Sequence, residues 1–322
     1  MVLFSLAFEG DKEIHLYPQL GKLTEKYRFH SMQIYEHIPF KPSWPIVFHT
    51  AKYTTRILLG PVTIPVFLYD PITLARYIRV LDELTDGRAI LGISRGAYAE
   101  YMFREAERSI QAVQETVESV DALLSGKNYH GRIINIEQNN EGLGWLSGRR
   151  VEIYVGTSGP KLISRATRLS AVKAIIVDNL WNPRYAEQLR SIIDDESKKA
   201  GREDRVHLIA RPFTMICSDR AEAERRIIPI LKEHLPHLIG DSPMLTSIGL
   251  SFDDIRQFEE KGSQIPPKLI ENFVALGNPD DIIEQTDRML KAGVDHICYG
   301  QPLGDLPEVI RLIGERILPY FA

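Results

Sequence analysis

The chain has 322 residues, of which 44% are hydrophobic and 25% are charged, as expected of a globular protein with a large core. Its formal net charge of −4 argues against a nucleic-acid-binding protein, because such proteins usually carry a basic excess. The two cysteines, Cys217 and Cys298, are far apart in the sequence, so we expect neither a disulfide framework nor a metal site.

The N-terminal segment does not have the pattern of a signal peptide. An apolar run from Met1 to Phe8 is followed by acidic residues at Glu9 and Asp11, without a basic start or a small-residue cleavage site. No apolar run reaches the roughly 18 residues that a membrane helix requires. We therefore expect a cytoplasmic protein that binds neither a membrane nor a nucleic acid.

Short apolar runs alternate with amphipathic stretches along the chain, which predicts strands that alternate with helices. Asp70-Pro71 indicates one helix start, and Ile110 to Gly126 shows apolar spacings of three and four. Strands are predicted at 2–8, 31–35, 56–63, 88–94, 151–155, 172–177, 206–216 and 295–299. Helices are predicted up to about 27 and at 45–54, 70–87, 110–126, 160–170, 183–200, 220–238, 279–292 and 305–320.

Two segments, 127–150 and 239–272, break this alternation and are predicted to be insertions. Eight strands with helical crossovers imply a parallel sheet. A doubly wound open sheet is the alternative, but no GxGxxG fingerprint follows the first strand. We therefore predict a single-domain (β/α)8 TIM barrel over residues 1–322, whose functional residues follow the C-terminal ends of the strands.

The loop after the fifth predicted strand reads Gly156-Thr157-Ser158-Gly159 and is followed by Pro160 at a helix start. Free backbone N–H groups, two hydroxyls and the nearby Lys161 and Arg165 would make a phosphate site on a helix N-terminus. The alternative is an ordinary turn between a strand and a helix, since glycine-serine turns are common.

Glu36-His37 follows the second predicted strand. Histidine titrates near neutral pH, so this pair could move a proton or hydrogen-bond to a polar ring; a structural histidine is the alternative. Glu9, after the first strand, is either a general acid or the solvated start of a loop.

The loop after the fourth predicted strand begins Ser94-Arg95-Gly96. Arg95 is either an anion ligand at the barrel mouth or the partner of a surface carboxylate. Tyr98 and Tyr101 would pack on a cofactor or on the barrel rim. Cys298 lies in an apolar strand and is predicted to be a core residue.

Residues 57–97 carry a family resemblance. Ile57-Leu58-Leu59-Gly60 ends one strand, Leu81-Asp82-Glu83-Leu84-Thr85-Asp86-Gly87-Arg88 ends a helix, and Leu91-Gly92-Ile93 ends the next strand. This stretch resembles the luciferase-like superfamily of barrel oxidoreductases. Further similarity lies at Val155 to Pro160 and at Leu276 to Asp281, so the resemblance spans nearly the whole chain.

Within that superfamily, Glu36-His37 and Tyr299-Gly300-Gln301-Pro302-Leu303-Gly304 resemble the branch that uses the deazaflavin coenzyme F420, and specifically the methylenetetrahydromethanopterin reductases. The resemblance implies a coenzyme across the C-terminal mouth, with its phosphate at 156–159 and its ring near His37. It also implies a non-proline cis peptide at Val62-Thr63, next to the ring site, and a homo-oligomer such as a dimer.

One residue departs from the reductase pattern: those enzymes have a glutamate inside the first strand, where this chain has Ala7. Glu9, two residues further on, is the candidate substitute, and the departure leaves the substrate open. Three other functions remain as alternatives: another deazaflavin-dependent dehydrogenase that acts on an alcohol or a sugar phosphate, an FMN-dependent monooxygenase of the same superfamily, and a non-catalytic flavin-binding barrel.

Overall fold

The computed structural model describes residues 2–96, 109–137, 142–238, 243–251, 253–255 and 265–322, without the side chains of 233–238. Tyr98 and Tyr101, which the sequence suggested for the cofactor or the rim, lie outside the described residues. Among the described residues, no helix is both long enough and apolar enough to cross a bilayer.

Parallel strands surrounded by helices make up the fold. The strands are β1 Leu3–Phe8, β2 Ser31–Ile34, β3 Leu58–Pro61, β4 Ile64–Pro65, β5 Ile90–Ser94, β6 Tyr129–His130, β7 Asn135–Ile136, β8 Glu152–Gly156, β9 Val172–Asp178, β10 His207–Arg211, β11 Phe213–Ile216, β12 Val274–Gly277 and β13 His296–Pro302. The helices are α1 Tyr17–Lys26, α2 Ser43–Ala51, α3 Pro71–Leu84, α4 Ile110–Leu124, α5 Pro160–Thr167, α6 Pro183–Lys199, α7 Arg220–Leu238, α8 Pro243–Ser247, α9 Pro267–Phe273, α10 Pro279–Lys291 and α11 Leu306–Leu312.

The main sheet curves into a nearly closed barrel. Its strands are parallel neighbours in the order β3, β2, β1, β13, β10, β9, β8, β5, β4. The two ends meet where Leu59 of β3 pairs with Ala89, just before β5, and donates its N–H to the Arg88 carbonyl at 2.8 Å. The predicted TIM barrel is confirmed, and the doubly wound alternative is excluded.

All eight predicted strand positions contain a strand, but two of them are interrupted. The third divides into β3 and β4 around Val62-Thr63, and the seventh divides into β10 and β11 at Pro212, which has no N–H to donate to a neighbouring strand. A further strand, β12, was not predicted; it pairs in parallel with β11. Because β12 has only four residues and follows α9 without a loop, the sequence pattern does not distinguish it from the helix.

The two segments predicted to be insertions contain short elements. In the first, β6 and β7 form an antiparallel hairpin. The buried carboxylate of Glu115, on α4, holds its turn by accepting hydrogen bonds from the N–H groups of Ile133 at 2.8 Å and Ile134 at 2.9 Å. The described part of the second contains α8 and most of α9.

Local capping explains several helix starts. Asp70 accepts a hydrogen bond from the N–H of Thr73 at 2.9 Å, as expected of an N-cap carboxylate before Pro71. Asn278 and Asp281 form a reciprocal capping box at the start of α10. The predicted closing helix is shorter than expected, because α11 ends at Leu312 and is followed by a π turn and a 3-10 turn.

The barrel interior combines a cluster of apolar residues with a chain of buried polar side chains. Ala7, Val62, Ile176 and Cys298 belong to its apolar cluster, which confirms Cys298 as a core residue. A larger apolar layer fills the space between the barrel and the helices.

The polar chain begins at the N-terminal end of the barrel. Ser5 hydrogen-bonds to the Nε2 atom of His296 at 2.7 Å and accepts a bond from the Ser31 hydroxyl at 2.6 Å. Gln33 then donates to Ser31 at 3.3 Å. Because strand residues alternate between faces, Ser31 and Gln33 of β2 both point inward.

We expect the buried His296 to make stability fall in acid. Burial, together with His30 and His207, holds the pKa of His296 well below its usual 6.5. Below about pH 6.5 the unfolded chain therefore binds a proton that the folded chain refuses, and stability declines by up to about 1.4 kcal/mol per pH unit for this group.

His296→Gln, which can still hydrogen-bond to Ser5, should make the free energy of unfolding depend less on pH. The measurement is denaturant titration between about pH 4.5 and about pH 7, the range in which histidine titrates. His15→Gln is the control, since the His15 side chain is 64% exposed. Equal pH slopes for the wild type and His296→Gln would contradict the assignment.

Candidate active site at the barrel mouth

Four of the predicted site residues meet at the C-terminal mouth of the barrel. The hydroxyl of Thr63 donates to the hydroxyl of Ser94 at 2.9 Å, and the N–H of Gly96 donates to the same oxygen at 3.2 Å. A Cβ atom on Gly156 would lie 2.6 Å from the methyl group of Thr63. Because Gly156 has no side chain, the Thr63 side chain can occupy this space.

The peptide bond between Val62 and Thr63 is cis, as the family resemblance implied. Val62 is fully buried, and a Cβ on Gly92 would lie 2.6 Å from its side chain. The Val62 carbonyl accepts a hydrogen bond from Arg211 at 2.6 Å. The backbone between β3 and β4 is thus held from both sides.

The loop from Gly156 to Gly159 leads directly into α5. Gly159 is the N-cap residue, and none of the described side chains caps the first turn of this helix. The Gly159 N–H donates to the hydroxyl of Thr157 at 3.0 Å, and Tyr185 donates to the Ser158 carbonyl at 2.8 Å. The loop is therefore fixed in shape and half-buried, with the helix N-terminus behind it.

The predicted cationic groups around this loop differ in position. Lys161 is exposed on the first turn of α5. Arg165 instead points along the helix surface, where it donates to Gln111 at 3.1 Å on α4. Arg95 is exposed at the end of the fourth strand position. Of the two basic residues predicted to serve the loop, only Lys161 stays available to it.

Glu9 and His37 lie together in the mouth. The Nδ1 atom of His37 is 3.2 Å from the Oε1 atom of Glu9, and each side chain is 13% exposed. Gln301 donates its side-chain amide to the same carboxylate oxygen, and Phe40 packs edge-on against the imidazole at 5.3 Å. An acid and an imidazole are thus paired, but the acid comes from the loop after β1 rather than from the adjacent Glu36.

Glu36 faces a different partner. Its carboxylate accepts hydrogen bonds from the backbone N–H of Ser43, at 2.8 Å, and from the Ser43 hydroxyl. Ser43 is the first residue of α2, and its N-cap residue, Pro42, has no side-chain acceptor to offer. Glu36 therefore takes the role of a cap for this helix. Burial and the Glu36 charge raise the pKa of the neighbouring Tyr69 to about 12.

The most deeply buried charge at the mouth was missed in the sequence. Arg211, at the end of β10, has a side chain with no exposed surface, and its guanidinium forms a two-point ion pair with Asp178 of β9. It also donates to the Gln33 side chain at 3.3 Å and lies 4.2 Å from the centre of the Tyr35 ring. Burial lowers the pKa of Arg211, but Asp178 more than offsets this and raises it.

A sequence signal for this group exists. An arginine inside the apolar run of β10 has to point either to solvent or to a buried partner, and Gln33 and Tyr35 occupy inward-facing positions of β2. These positions in the sequence indicate that polar side chains are buried inside the barrel, but they do not indicate which of those side chains contact one another.

We expect Glu36→Ala to destabilise the protein by about 1–2 kcal/mol, because the first turn of α2 then loses its acceptor. The measurement is the free energy of unfolding from denaturant titration. Glu13→Ala is the matched control, since the Glu13 side chain is 76% exposed. Equal stability of the two variants would show that the contact with Ser43 contributes nothing.

Comparison with known proteins agrees with this architecture. The model of the luciferase-like monooxygenase family matches residues 7–296. The chain is 28% identical to a 5,10-methylenetetrahydromethanopterin reductase of Archaeoglobus fulgidus, covering 98% of each chain, and 25% identical to the enzyme of that name from Methanopyrus kandleri, covering 99% of each.

The solved structure of the coenzyme F420-dependent tetrahydromethanopterin reductase from Methanopyrus kandleri has the same fold, with a TM-score of 0.85 at 22% identity over 100% of this chain and 99% of that one. The family match extends over most of the barrel, from the first strand to the start of the last. The chain therefore belongs to the luciferase-like monooxygenase family.

Proposed function

We propose that this protein is a coenzyme F420-dependent oxidoreductase that transfers hydride between the deazaflavin and a pterin-bound one-carbon unit, as a 5,10-methylenetetrahydromethanopterin reductase does. The observation that carries the proposal is the relation to two reductases of that name over at least 98% of the chain. The non-catalytic alternative has no comparable support, because the acid–imidazole pair of Glu9 and His37 is in place.

The residues at the mouth fit a deazaflavin coenzyme with a phosphate-bearing side chain. We assign its phosphate to Gly156, Thr157, Ser158 and Gly159, because the uncapped start of α5 favours an anion there. We assign its ring to Val62, Thr63, Ser94, Arg95 and Gly96. The coenzyme supplies the hydride chemistry when bound, and the chain supplies orientation and a site that excludes water.

Glu9 and His37 are the proposed acid–base pair. Their side chains are largely shielded from solvent and joined at 3.2 Å, so a proton can be held between them and exchanged at the mouth. Glu36 is in our proposal a positioning residue, because both of its contacts fix the start of α2, next to the loop that carries His37.

An FMN-dependent monooxygenase is the second candidate, and the name of the matching family favours it. Reduced deazaflavin resists oxygen because carbon replaces the fifth nitrogen of the flavin ring. Oxygen-dependent turnover with reduced FMN would therefore identify the second candidate, and anaerobic hydride transfer the first.

We further propose that residues 1–322 form one domain, and that the protein works in the cytoplasm as a homodimer or larger homo-oligomer in one-carbon metabolism related to methanogenesis. The ring of Phe321 packs on Phe4 at 5.6 Å, which supports one domain because the two ends of the chain share a core. Exposed apolar side chains recur on α3 at Tyr77, Val80 and Leu84, which supports self-association.

Equilibrium titration of the purified protein with F420 and, separately, with FMN tests the proposal. We expect F420 to bind at least about tenfold more tightly, a difference of about 1.4 kcal/mol, as measured by ligand fluorescence. Anaerobic oxidation of reduced F420 should then depend on added methylenetetrahydromethanopterin. A preference for FMN would reject the deazaflavin assignment and favour the monooxygenase.

Gly156→Ala should weaken F420 binding by about tenfold, or about 1.4 kcal/mol. The added methyl group would lie 2.6 Å from Thr63 and force that side chain away from Ser94. Gly144→Ala is the matched control, because a Cβ at Gly144 would meet nothing within 4 Å. Equal F420 affinities for both variants would place the ring elsewhere.

A further inference from the structure

Tyr35 lies at the floor of the mouth. It follows β2, where the alternation of Ser31, Gln33 and Tyr35 directs all three side chains into the barrel. A Cβ atom on Gly300 would lie 2.6 Å from the hydroxyl oxygen of Tyr35. Gly300, which is paired in register with Ala7 of β1, therefore leaves the space that the phenol occupies.

The Tyr35 ring is held in place by Arg211. The guanidinium carbon lies 4.2 Å from the centre of the ring, an arrangement in which the cation is attracted to the aromatic face. Arg211 is itself fixed, because it donates to Asp178 at 2.9 Å and to the Val62 carbonyl at 2.6 Å. The phenol therefore has a defined position.

The hydroxyl of Tyr35 has no partner among the described residues. Other buried tyrosines use theirs: Tyr154 donates to Glu152 at 2.9 Å, Tyr185 to the Ser158 carbonyl at 2.8 Å, and Tyr299 hydrogen-bonds to Thr286 at 2.9 Å. Tyr35 differs from these three tyrosines because it is half-buried, so its hydroxyl is open to the mouth and can hydrogen-bond to a ligand there.

We propose that Tyr35 is a catalytic residue whose hydroxyl protonates the substrate nitrogen at which a carbon–nitrogen bond breaks. This inference rests on the proposed function and adds the proton donor to it. The substrate class is a methylene-bridged amine, in which one carbon joins two nitrogens.

In the reductive direction the substrate receives a hydride and a proton from different groups. The reduced coenzyme, when bound, would supply the hydride for the new carbon–hydrogen bond of the methylene carbon, so that this carbon would be reduced and the coenzyme oxidised. The electron pair of the broken carbon–nitrogen bond stays on nitrogen, which takes the proton from Tyr35. The tyrosinate then regains a proton from solvent through Glu9 and His37.

The electrostatics of the site suit a neutral acid of this kind. Burial raises the pKa of Tyr35 well above 10, so the phenol keeps its proton at neutral pH, whereas Arg211 acts in the opposite direction and stabilises the phenolate that donation creates. Asp178 and Glu9 are the carboxylates near enough to oppose Arg211. Arg211 is thus a positioning residue for the acid.

Tyr35→Phe tests the inference, because it removes one oxygen and keeps the ring on Arg211. We expect F420 to bind within about threefold of the wild-type affinity. Turnover should fall at least about 100-fold, the lower range for loss of a general acid. The affinity of the F420-loaded protein for methylenetetrahydromethanopterin, measured by calorimetry, should fall about tenfold with the lost hydrogen bond. Tyr53→Phe, on the surface, is the matched control and should change none of these.

Near-wild-type turnover and substrate affinity in Tyr35→Phe would overturn the inference and leave the proposed function intact. Failure of the wild type to bind F420, or to turn over the pterin, would overturn the proposed function and the inference with it. A second measurement uses fluorotyrosine at position 35 of the full chain. Because fluorine makes the phenol more acidic, the alkaline limb of the profile of kcat against pH should move to lower pH. An unchanged profile would also reject Tyr35 as the acid.

Discussion

The mouth of this barrel depends on the ion pair between Arg211 and Asp178. A guanidinium without exposed surface is tolerated in a protein interior only when its N–H groups find acceptors, and here Asp178, the Val62 carbonyl and Gln33 supply them. These partners come from different strand positions around the barrel. Removing one side of a fully buried pair typically destabilises a protein by about 3–5 kcal/mol. The expected loss is smaller here, because the Asp178 side chain is 48% exposed and solvent screens its charge.

The same pair links the stability of the barrel to its chemistry. The arginine that connects β10 to β9 also holds the Val62 carbonyl, beside the proposed coenzyme site, and the ring of Tyr35. Its surroundings require small residues, since Gly300 has no space for a Cβ between Arg211 and Tyr35. A charged group in the core and a glycine on the neighbouring strand, β13, are therefore two parts of one arrangement.

Neighbouring residues in the sequence have separate roles at this mouth. Glu36 and His37 are adjacent, but consecutive extended residues point in opposite directions. His37 faces the mouth and meets Glu9 at 3.2 Å, whereas Glu36 faces α2 and caps it through Ser43. Ala7 and Glu9 lie two positions apart, so both face inward. The carboxylate of Glu9 is therefore closer to the solvent end of the barrel than a glutamate at position 7 would be.

The sequence by itself determined the alternation of strands and helices, the start of α3 at Asp70-Pro71 and the set of strand ends that form the mouth. These features depend on residues within a few positions of one another, so periodicity and capping chemistry are sufficient to predict them. The family resemblance added the cis peptide at Val62-Thr63. It did not indicate β12 or the breaks in two of the strands.

The tertiary structure alone decided which of those strand-end side chains meet. Glu9 and His37 are 28 positions apart, Arg211 and Asp178 are 33 apart, and Arg211 and Val62 are 149 apart. Contacts at such separations depend on the register of the strands and on closure of the barrel, and neither is encoded in a local pattern. A sequence can therefore place a charged residue inside a strand, but only the closed barrel selects its partner.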